Sequence, residues 1–373
     1  MAKVVRRFTK SFIVFCNIIV ALLFLLGAYG YWFNPEKYWF VGLLTLANFY
    51  ALLLLIGFFF FWVLAKPKMV FISLTAIVLA WSPLRQLVKL RVSNGFELKK
   101  EKSQLRVMSW NIEHFEISSH KKNPEKKQQM LQLINTYHPD VACFQEMVGN
   151  ENKPEAINYI PQIAATLQMP YFFYAYNPKL SYNKDHQFGI IIFSKYPFIK
   201  KEMVSKNPNN YNSIFQYVDV ASGSDTVRIF NLHLQSLRFS NEDLEYLEEP
   251  SIDNDSNFKN SKNIISKFKT GFAKRRIQSI HVKEEMNKSP YPLVVCGDFN
   301  DVPNSFAYHH IGEGLINAFA ESGTGIGRTY SHIAPTLRID NIFADTRFTI
   351  RQFARDGKRI SDHFPIIVDL ELK

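Results

Sequence analysis

Two stretches, Phe12 to Phe33 and Tyr38 to Ala65, are apolar almost without interruption; Asn17 breaks the first, and Thr45 and Asn48 the second. Each exceeds the roughly 20 residues that a helix needs to cross a bilayer. A backbone in lipid must satisfy its own hydrogen bonds, so such runs have only helix open to them. A third apolar run, Met69 to Leu84, is shorter and ends at Pro83 and Arg85. The expectation is therefore two or three transmembrane helices at about 12–33, 40–65 and 69–88 within a membrane anchor spanning 1–92. Trp32, Trp39, Trp62 and Trp81 stand near the ends of these runs, where an aromatic belt would place them.

Charge divides the chain at the same place. Residues 1–100 hold twelve Lys/Arg against Glu36 and Glu97, leaving 32 basic and 31 acidic residues in 101–373. The basic balance belongs to the apolar half and is no argument for nucleic-acid binding by the rest. Lys3, Arg6, Arg7, Lys10, Lys66 and Lys68 place the N-terminus and the second loop in the cytoplasm by the positive-inside rule. With three spans the remainder lies on the outer, periplasmic side of a plasma (inner) membrane. Arg85, Lys89, Arg91, Lys99 and Lys100 pull the other way. Cys16, Cys143 and Cys296 have neither metal-ligand nor disulfide spacing.

After a polar linker, 93–103, the pattern changes to short apolar runs. Strands are expected at 105–110, 140–144, 171–176, 188–194, 214–220, 227–232, 293–296, 338–344, 348–353 and 365–370. Helices are expected at 124–138, 155–168 and 271–286. Residues 241–269 are polar and less regular, and read as a lid-like insertion. About ten strands with interspersed helices fit an α/β sandwich of two sheets better than a βαβ repeat.

The chemistry stands where these strands end. Leu293–Cys296 runs into Gly297, Asp298, Phe299 and Asn300. Asp298 and Asn300 are two apart, so in extended chain they face one way; they equally suit an Asx turn. Asn111, Glu146, His233, Asp340 and the Asp362–His363 pair each follow an apolar run in the same manner. Each has a plain alternative: a cap, a core histidine, a salt bridge from Asp340 to Arg338, a turn at Ser361–His363. Together they suit metal-assisted phosphoester hydrolysis. Glu146 and Asp362 are hard oxygen ligands for Mg²⁺. His363 beside an acid such as Asp340 is a candidate base, and His233 a donor to a phosphate oxygen.

The ordered set SWNIE (109–113), QE (145–146), NLHL (231–234), GDFN (297–300), RID (338–340) and SDH (361–363) resembles the endonuclease/exonuclease/phosphatase family, the DNase I-like metal-dependent phosphoesterases. The resemblance covers 104–373, the expected catalytic domain. It implies a four-layer α/β sandwich, two mixed sheets face to face with helices outside. It further implies a divalent ion, Mg²⁺ with Mn²⁺ as the alternative, on Glu146 with Asn111 close by and Asp362 sharing it. Asp298 would orient or deprotonate the attacking water, and Asn300 would position the phosphate. His363 with Asp340 would serve as base or phosphate stabiliser, and His233 would stabilise the transition state.

Substrate class stays open between nucleic acid and phospholipid. The run Lys267, Lys269, Lys274, Arg275 and Arg276 reads either as a solvated helix face or as a grip on DNA. A catalytically silent binding module is a further alternative. A transporter or receptor role for the helices is weak, because the spans carry no charged pathway. The expected partners are a phosphoester substrate and the lipid bilayer; no protein partner is implied.

Overall fold

The computed structural model describes residues 2–91, 95–116, 124–150, 158–181, 186–204, 214–223, 225–248 and 255–373. The chain opens with α1 (Ala2–Ala28), α2 (Trp39–Leu46), α3 (Asn48–Ala65), α4 (Val70–Leu79) and α5 (Trp81–Leu87). Then come β1 (Gln104–Asn111), α6 (Pro124–Tyr137), β2 (Val141–Gly149), α7 (Ile160–Thr166), β3 (Tyr171–Ser181) and β4 (Gln187–Ser194). There follow β5 (Phe198–Met203), β6 (Phe215–Ser222), β7 (Asp225–His233), α8 (Asn241–Glu248), α9 (Asp255–Met286) and β8 (Leu293–Asp298). The chain closes with α10 (Phe306–Gly312), β9 (Leu315–Asn317), α11 (Ala318–Ser322), β10 (Asp340–Asp345), β11 (Phe348–Arg355) and β12 (Ile366–Leu372).

The strands form two six-stranded sheets, ordered β11-β12-β1-β2-β4-β3 and β5-β6-β7-β8-β10-β9. Only β1–β2 and β7–β8 run parallel; the other pairs are antiparallel. Alternation along each strand sorts the core into layers. Val107, Val141, Cys143, Ile229, Val294 and Cys296 fill the space between the sheets. Met108, Trp110, Ala142 and Phe144 face outward onto Met130 and Ile134 of α6 and Ile163 of α7. Phe230, Val295 and Phe343 face the opposite way onto Val282 and Met286 of α9 and Tyr308 of α10. This is the expected four-layer sandwich.

Several boundaries differ from expectation. The first apolar run is helical from Ala2 and ends at Ala28, not Phe33, and the second is broken at Ala47 between α2 and α3. Among the described residues, two helices, Val4–Ala28 and Asn48–Ala65, are long and apolar enough to cross a membrane; the pair Pro67–Leu79 and Trp81–Leu87, bent by 67°, makes a third if taken as one span. The region read as an irregular insertion is α8 and the front half of α9, with 249–254 outside the described residues. The helix expected at 155–168 is seen as Ile160–Thr166, and 155–157 lie outside the described residues. Strands β5 and β9 went unforeseen, β5 because FIKKEM carries three charges on an edge strand that buries little.

Polar side chains join the apolar helices. Asn17 Nδ2 donates to Ser73 Oγ at 2.9 Å, Trp62 Nε1 to Asn17 Oδ1 at 3.0 Å and Asn48 Nδ2 to the Phe24 carbonyl at 2.9 Å. Away from water such bonds hold helices together. They also fix direction: residue 17 meets 62 and 24 meets 48, so α1 and α3 are antiparallel, while Tyr29 donating to the Leu79 carbonyl sets α4 alongside α1. Trp62, expected in an interfacial belt, is instead buried inside the bundle.

The helices pack directly on the sandwich. The Tyr31 and His309 rings stack at 4.0 Å, Arg276 pairs with Glu36 at 3.0 Å, and Asn304 donates to the Pro83 carbonyl. Arg338 does not pair with Asp340; its guanidinium donates to the carbonyls of Gln86 and Ile326 and lies over Phe319.

Arg106 on β1 forms a fully buried two-bond pair with Asp369 on β12, 2.7 Å each, and donates to the carbonyls of Glu97, Leu98 and Tyr137. Asp369→Ala leaves that guanidinium buried without its counter-charge, which costs about 3–5 kcal/mol. Denaturant unfolding of the full chain should show a loss of this size; a change below about 1 kcal/mol would mean the backbone carbonyls suffice.

Candidate active site

Five of the predicted groups meet at one edge of the sandwich because of strand direction. β1, β7 and β8 all run toward this edge and finish on Asn111, His233 and Asp298. β10 is antiparallel to β8 and begins at Asp340, paired in register with Asp298. His363 lies in the turn entering β12, which is antiparallel to β1. Glu146 arrives differently: β2 continues past it to Gly149, and an irregularity in register between Phe144 and Met147 turns Glu146 to the same edge. Its φ of 56° lies in the left-handed region.

Backbone strain collects here. Glu113, His114, Glu146, Arg238, Asn300 and Ile333 are non-glycine residues with φ between 44° and 65°, and all six line one cleft with Asp298, Asp362 and His363. Such conformations cost of order 1–3 kcal/mol each and concentrate at functional sites.

Asp298 is the centre of the cluster. Its Oδ2 accepts from Asn111 Nδ2 at 3.1 Å and its Oδ1 from the Asn300 backbone N–H at 2.8 Å. Asn300 Nδ2 is tied back to the Leu234 carbonyl at 3.1 Å. Two imidazoles flank the same carboxylate, His233 Nε2 at 3.6 Å and His363 Nε2 at 3.7 Å. The other nitrogen of His363 faces Asp340 Oδ2 at 2.8 Å. Asp340 is itself held by Thr329, whose hydroxyl accepts from the Ile339 and Asp340 amides. Ser361 binds the Asn111 carbonyl at 2.9 Å, and Trp110 donates to the His363 carbonyl. The turn carrying Asp362 and His363 is therefore clamped onto β1.

Charge is distributed unevenly. Burial lowers the His233 pKa to about 4, against the pull of Asp298, so this ring is neutral at pH 7. Burial also opposes protonation of His363, but the carboxylates of Asp340, Asp298 and Asp362 outweigh it and lift its pKa well above the ordinary value. Burial raises Asp298. Glu146 keeps 22% of its side chain open to the cleft. Even so, burial, then the neighbouring Asp362 carboxylate, push it up to about 8.

A divalent cation fits this donor set. The Asp362 carboxylate that raises the proton affinity of Glu146 would be offset by a positive charge between the two. Asp340 Oδ1 and His233 Nε2 are buried without a hydrogen-bond partner. Asp298, Asp340 and His363 also bring one donor atom each within 4.8 Å of one another. In that trio, however, His363 Nδ1 is already committed to Asp340. The oxygen-rich side formed by Glu146 and Asp362 better suits a hard ion.

Three cleft residues escaped sequence reasoning. His114 Nε2 lies 3.2 Å from Glu146 Oε2, Glu113 accepts from the Asp362 amide at 3.3 Å, and the Tyr330 ring sits 5.0 Å from that of His363. Glu113 and His114 follow Asn111 so closely that the strand-end rule could have included them. Tyr330 lies in an irregular segment with no such signal.

Two mixed six-stranded sheets with a buried Asp/His cluster at one edge define a phosphoesterase-type fold. The chain belongs to the endonuclease/exonuclease/phosphatase family, whose profile matches residues 108–363. A second profile, a domain of unknown function (DUF8431), matches residues 10–87. Solved structures of similar fold include endonuclease/exonuclease/phosphatase proteins from Bacteroides vulgatus (16% identity, TM-score 0.51, covering 72% of this chain and 99% of that one) and Bacteroides thetaiotaomicron (16%, 0.50, 72% and 98%). A family protein from Leptotrichia buccalis is similar at 13% identity and TM-score 0.50, covering 72% and 100%. No curated protein matches the chain by sequence.

Asp340→Asn removes the largest of the charges that lift His363. The His363 pKa, followed by NMR of labelled imidazole nitrogen, should fall toward the ordinary value of about 6.5. An unchanged titration would assign the shift to Asp298 instead.

Proposed function

We propose that this protein is a divalent-metal-dependent phosphoester hydrolase, held at a bilayer by its N-terminal helices with the catalytic domain on the outer side. The observation that carries the hydrolase reading is the placement of Asp298 between two imidazoles inside a cleft lined by further carboxylates.

Glu146 and Asp362, with Asn111 beside them, would hold Mg²⁺ or Mn²⁺. When bound, the ion supplies charge neutralisation for the phosphate and lowers the pKa of water. The remaining work falls to the chain. Asp298, oriented by Asn111 and Asn300, accepts the water's proton; its raised pKa makes it a stronger base than an ordinary aspartate. His363, kept protonated by Asp340, presents Nε2 toward the phosphate as a cationic donor. His233, neutral and unpaired at Nε2, donates to a phosphoryl oxygen as charge builds there. Asn300 sits where its side chain limits the phosphate's position.

Nucleic acid is the weaker substrate class. Affinity for DNA rests on free cations that neutralise phosphates. In the expected basic run, Arg275 is buried against Asp301 at 3.1 Å, Arg276 pairs with Glu36, and Lys267 pairs with Asp243. Those three cations are spent on holding the fold together, which leaves only Lys269 and Lys274 of the run exposed.

Orientation rests on the antiparallel helices. Arg6, Arg7, Lys10, Lys66 and Lys68 gather at the end of the bundle away from the sandwich. Near the sandwich, Arg91 donates to the Glu321 carbonyl and Lys100 pairs with Asp140 at 3.0 Å.

Asp298→Asn in the full chain should lower kcat on an aryl phosphodiester by about 10²–10⁴-fold with the fold intact by circular dichroism. Retention of more than about a tenth of the activity would remove Asp298 from the reaction. Metal binding should depend on pH with a definite sign. Glu146 is protonated below about 8 and attracts a cation only once ionised. Mg²⁺ affinity, measured by calorimetry, should therefore rise with pH through that region and level off above it. A flat profile would exclude Glu146 from the ligand set.

A further inference from the structure

The cleft that holds the catalytic cluster is not built by the sandwich alone. It has a volume of ≈ 840 Å³, and Leu43, Leu46, Ala47 and Tyr50 from α2 and the start of α3 form part of its wall. These residues share the lining with Glu146, Asp298 and His363, so an apolar surface from the N-terminal helices runs continuously into the reacting groups. Leu237, Phe239 and Phe268 extend the apolar lining on the sandwich side. Ile333, a β-branched residue at φ 65°, lines the cleft as well.

The wall is fixed in place. α2 lies so close to α9 that a Cβ on Gly42 would come within 2.7 Å of the Phe272 ring. Thr45 faces Gly30 closely enough that a Cβ there would clash with its hydroxyl, which locks α2 against the turn after α1.

With the helices set in a bilayer, as proposed above, this wall lies at its edge. Of the large aromatic residues at the sandwich end of the bundle, Trp32 is 70% and Trp81 63% exposed, as an interfacial belt requires. Ala47 and Tyr50 are exposed at the same end, so the cleft opens where the hydrocarbon begins. A soluble substrate needs no such wall. A phosphate carried on hydrocarbon does, because its tail must stay out of water while its head enters the site.

We propose that the substrate is a lipid phosphoester drawn directly from the bilayer, its hydrocarbon lying against Leu43, Leu46, Ala47 and Tyr50 while its phosphate reaches Asp298 and His363. This rests on the hydrolase reading above. The reaction is simple hydrolysis: the water oxygen forms the new bond to phosphorus and the bond from phosphorus to the ester oxygen breaks. The water's proton passes to Asp298, the departing alcohol takes a proton from His363, and return of the proton from Asp298 to His363, 3.7 Å away, resets the pair.

The test uses the full chain in nanodiscs or mixed micelles with Mg²⁺. Substrates are dioleoyl and dibutyryl forms of phosphatidylglycerol and of phosphatidate, a single-stranded oligonucleotide, and bis(p-nitrophenyl) phosphate with p-nitrophenyl phosphate. The two lipids distinguish a diester head from a monoester. Wild type should favour a dioleoyl lipid over its dibutyryl form, and Leu46→Glu should cut the ratio of lipid to aryl-ester kcat/KM by at least about tenfold, since a charge in the wall opposes hydrocarbon. Ala47→Trp, which narrows the mouth without adding charge, should lower the same ratio and covers any misfolding of Leu46→Glu. The lipid inference is overturned by aryl-ester or oligonucleotide cleavage without lipid cleavage, by indifference to chain length, or by a ratio unmoved in both variants. Each of those outcomes leaves the hydrolase reading standing. Absence of metal-dependent hydrolysis of every substrate, aryl esters included, overturns both.

Discussion

The hydrogen bond from Asn111 to Asp298 is the contact on which the rest depends. Asn111 ends a strand of one sheet and Asp298 ends a strand of the other, so the bond that orients the reactive carboxylate also closes the seam of the sandwich. A second buried link repeats the arrangement one layer deeper: Gln145 donates to Asn231 at 2.7 Å, and Asn231 donates back to the Phe144 and Ile191 carbonyls. Buried polar groups tolerate few alternatives, because a shift in register strands them without partners. The geometry of the site is thus held by the same bonds that set one sheet over the other.

Around that seam the chain concentrates strain and charge. Left-handed backbone at Glu113, His114, Glu146 and Asn300 aims their side chains into a cleft already crowded with carboxylates. The compensation is structural. Arg106 with Asp369, and Arg228 with Asp219 at 2.6 Å, are paired cations away from the cleft, and the apolar layers on both sheet faces are closely filled. The N-terminal helices add a further brace through Arg338, Asn304 and the Tyr31–His309 stack. They are a wall of the cleft as well as a set of apolar rods.

Much of this was legible because strands announce themselves by local pattern. Where a strand runs toward the site, its apolar run stops on a polar residue; the rule found Asn111, His233 and Asp298 without any knowledge of pairing, whereas Asp340 opens β10 and reaches the site because β10 is antiparallel to β8. It misplaced Glu146, which sits at an irregularity inside β2, since a bulge depends on the partner strand and leaves no mark in composition. It missed β5, whose charges suit an exposed edge, and read the front of α9 as irregular because polar residues dominate there. The basic run at 267–276 divides: Lys269 and Lys274 are exposed as on a solvated face, while Lys267, Arg275 and Arg276 are paired. Neither a solvated face nor a phosphate grip describes Arg275, which is buried against Asp301.

The sequence by itself determined that the first ninety residues carry helices apolar enough to cross a membrane, that a two-sheet α/β domain follows, and that a set of metal-loving and proton-transferring groups stands at its strand ends. These follow from the burial preference of each residue and the period of each element, which are local properties. Only the tertiary structure decided that Asp298 lies between His233 and His363, that Lys267, Arg275 and Arg276 of α9 are spent on internal pairs, and that α2 forms a wall of the cleft. Those are contacts between residues far apart in the chain, and they are set by how apolar layers pack and which strand lies beside which.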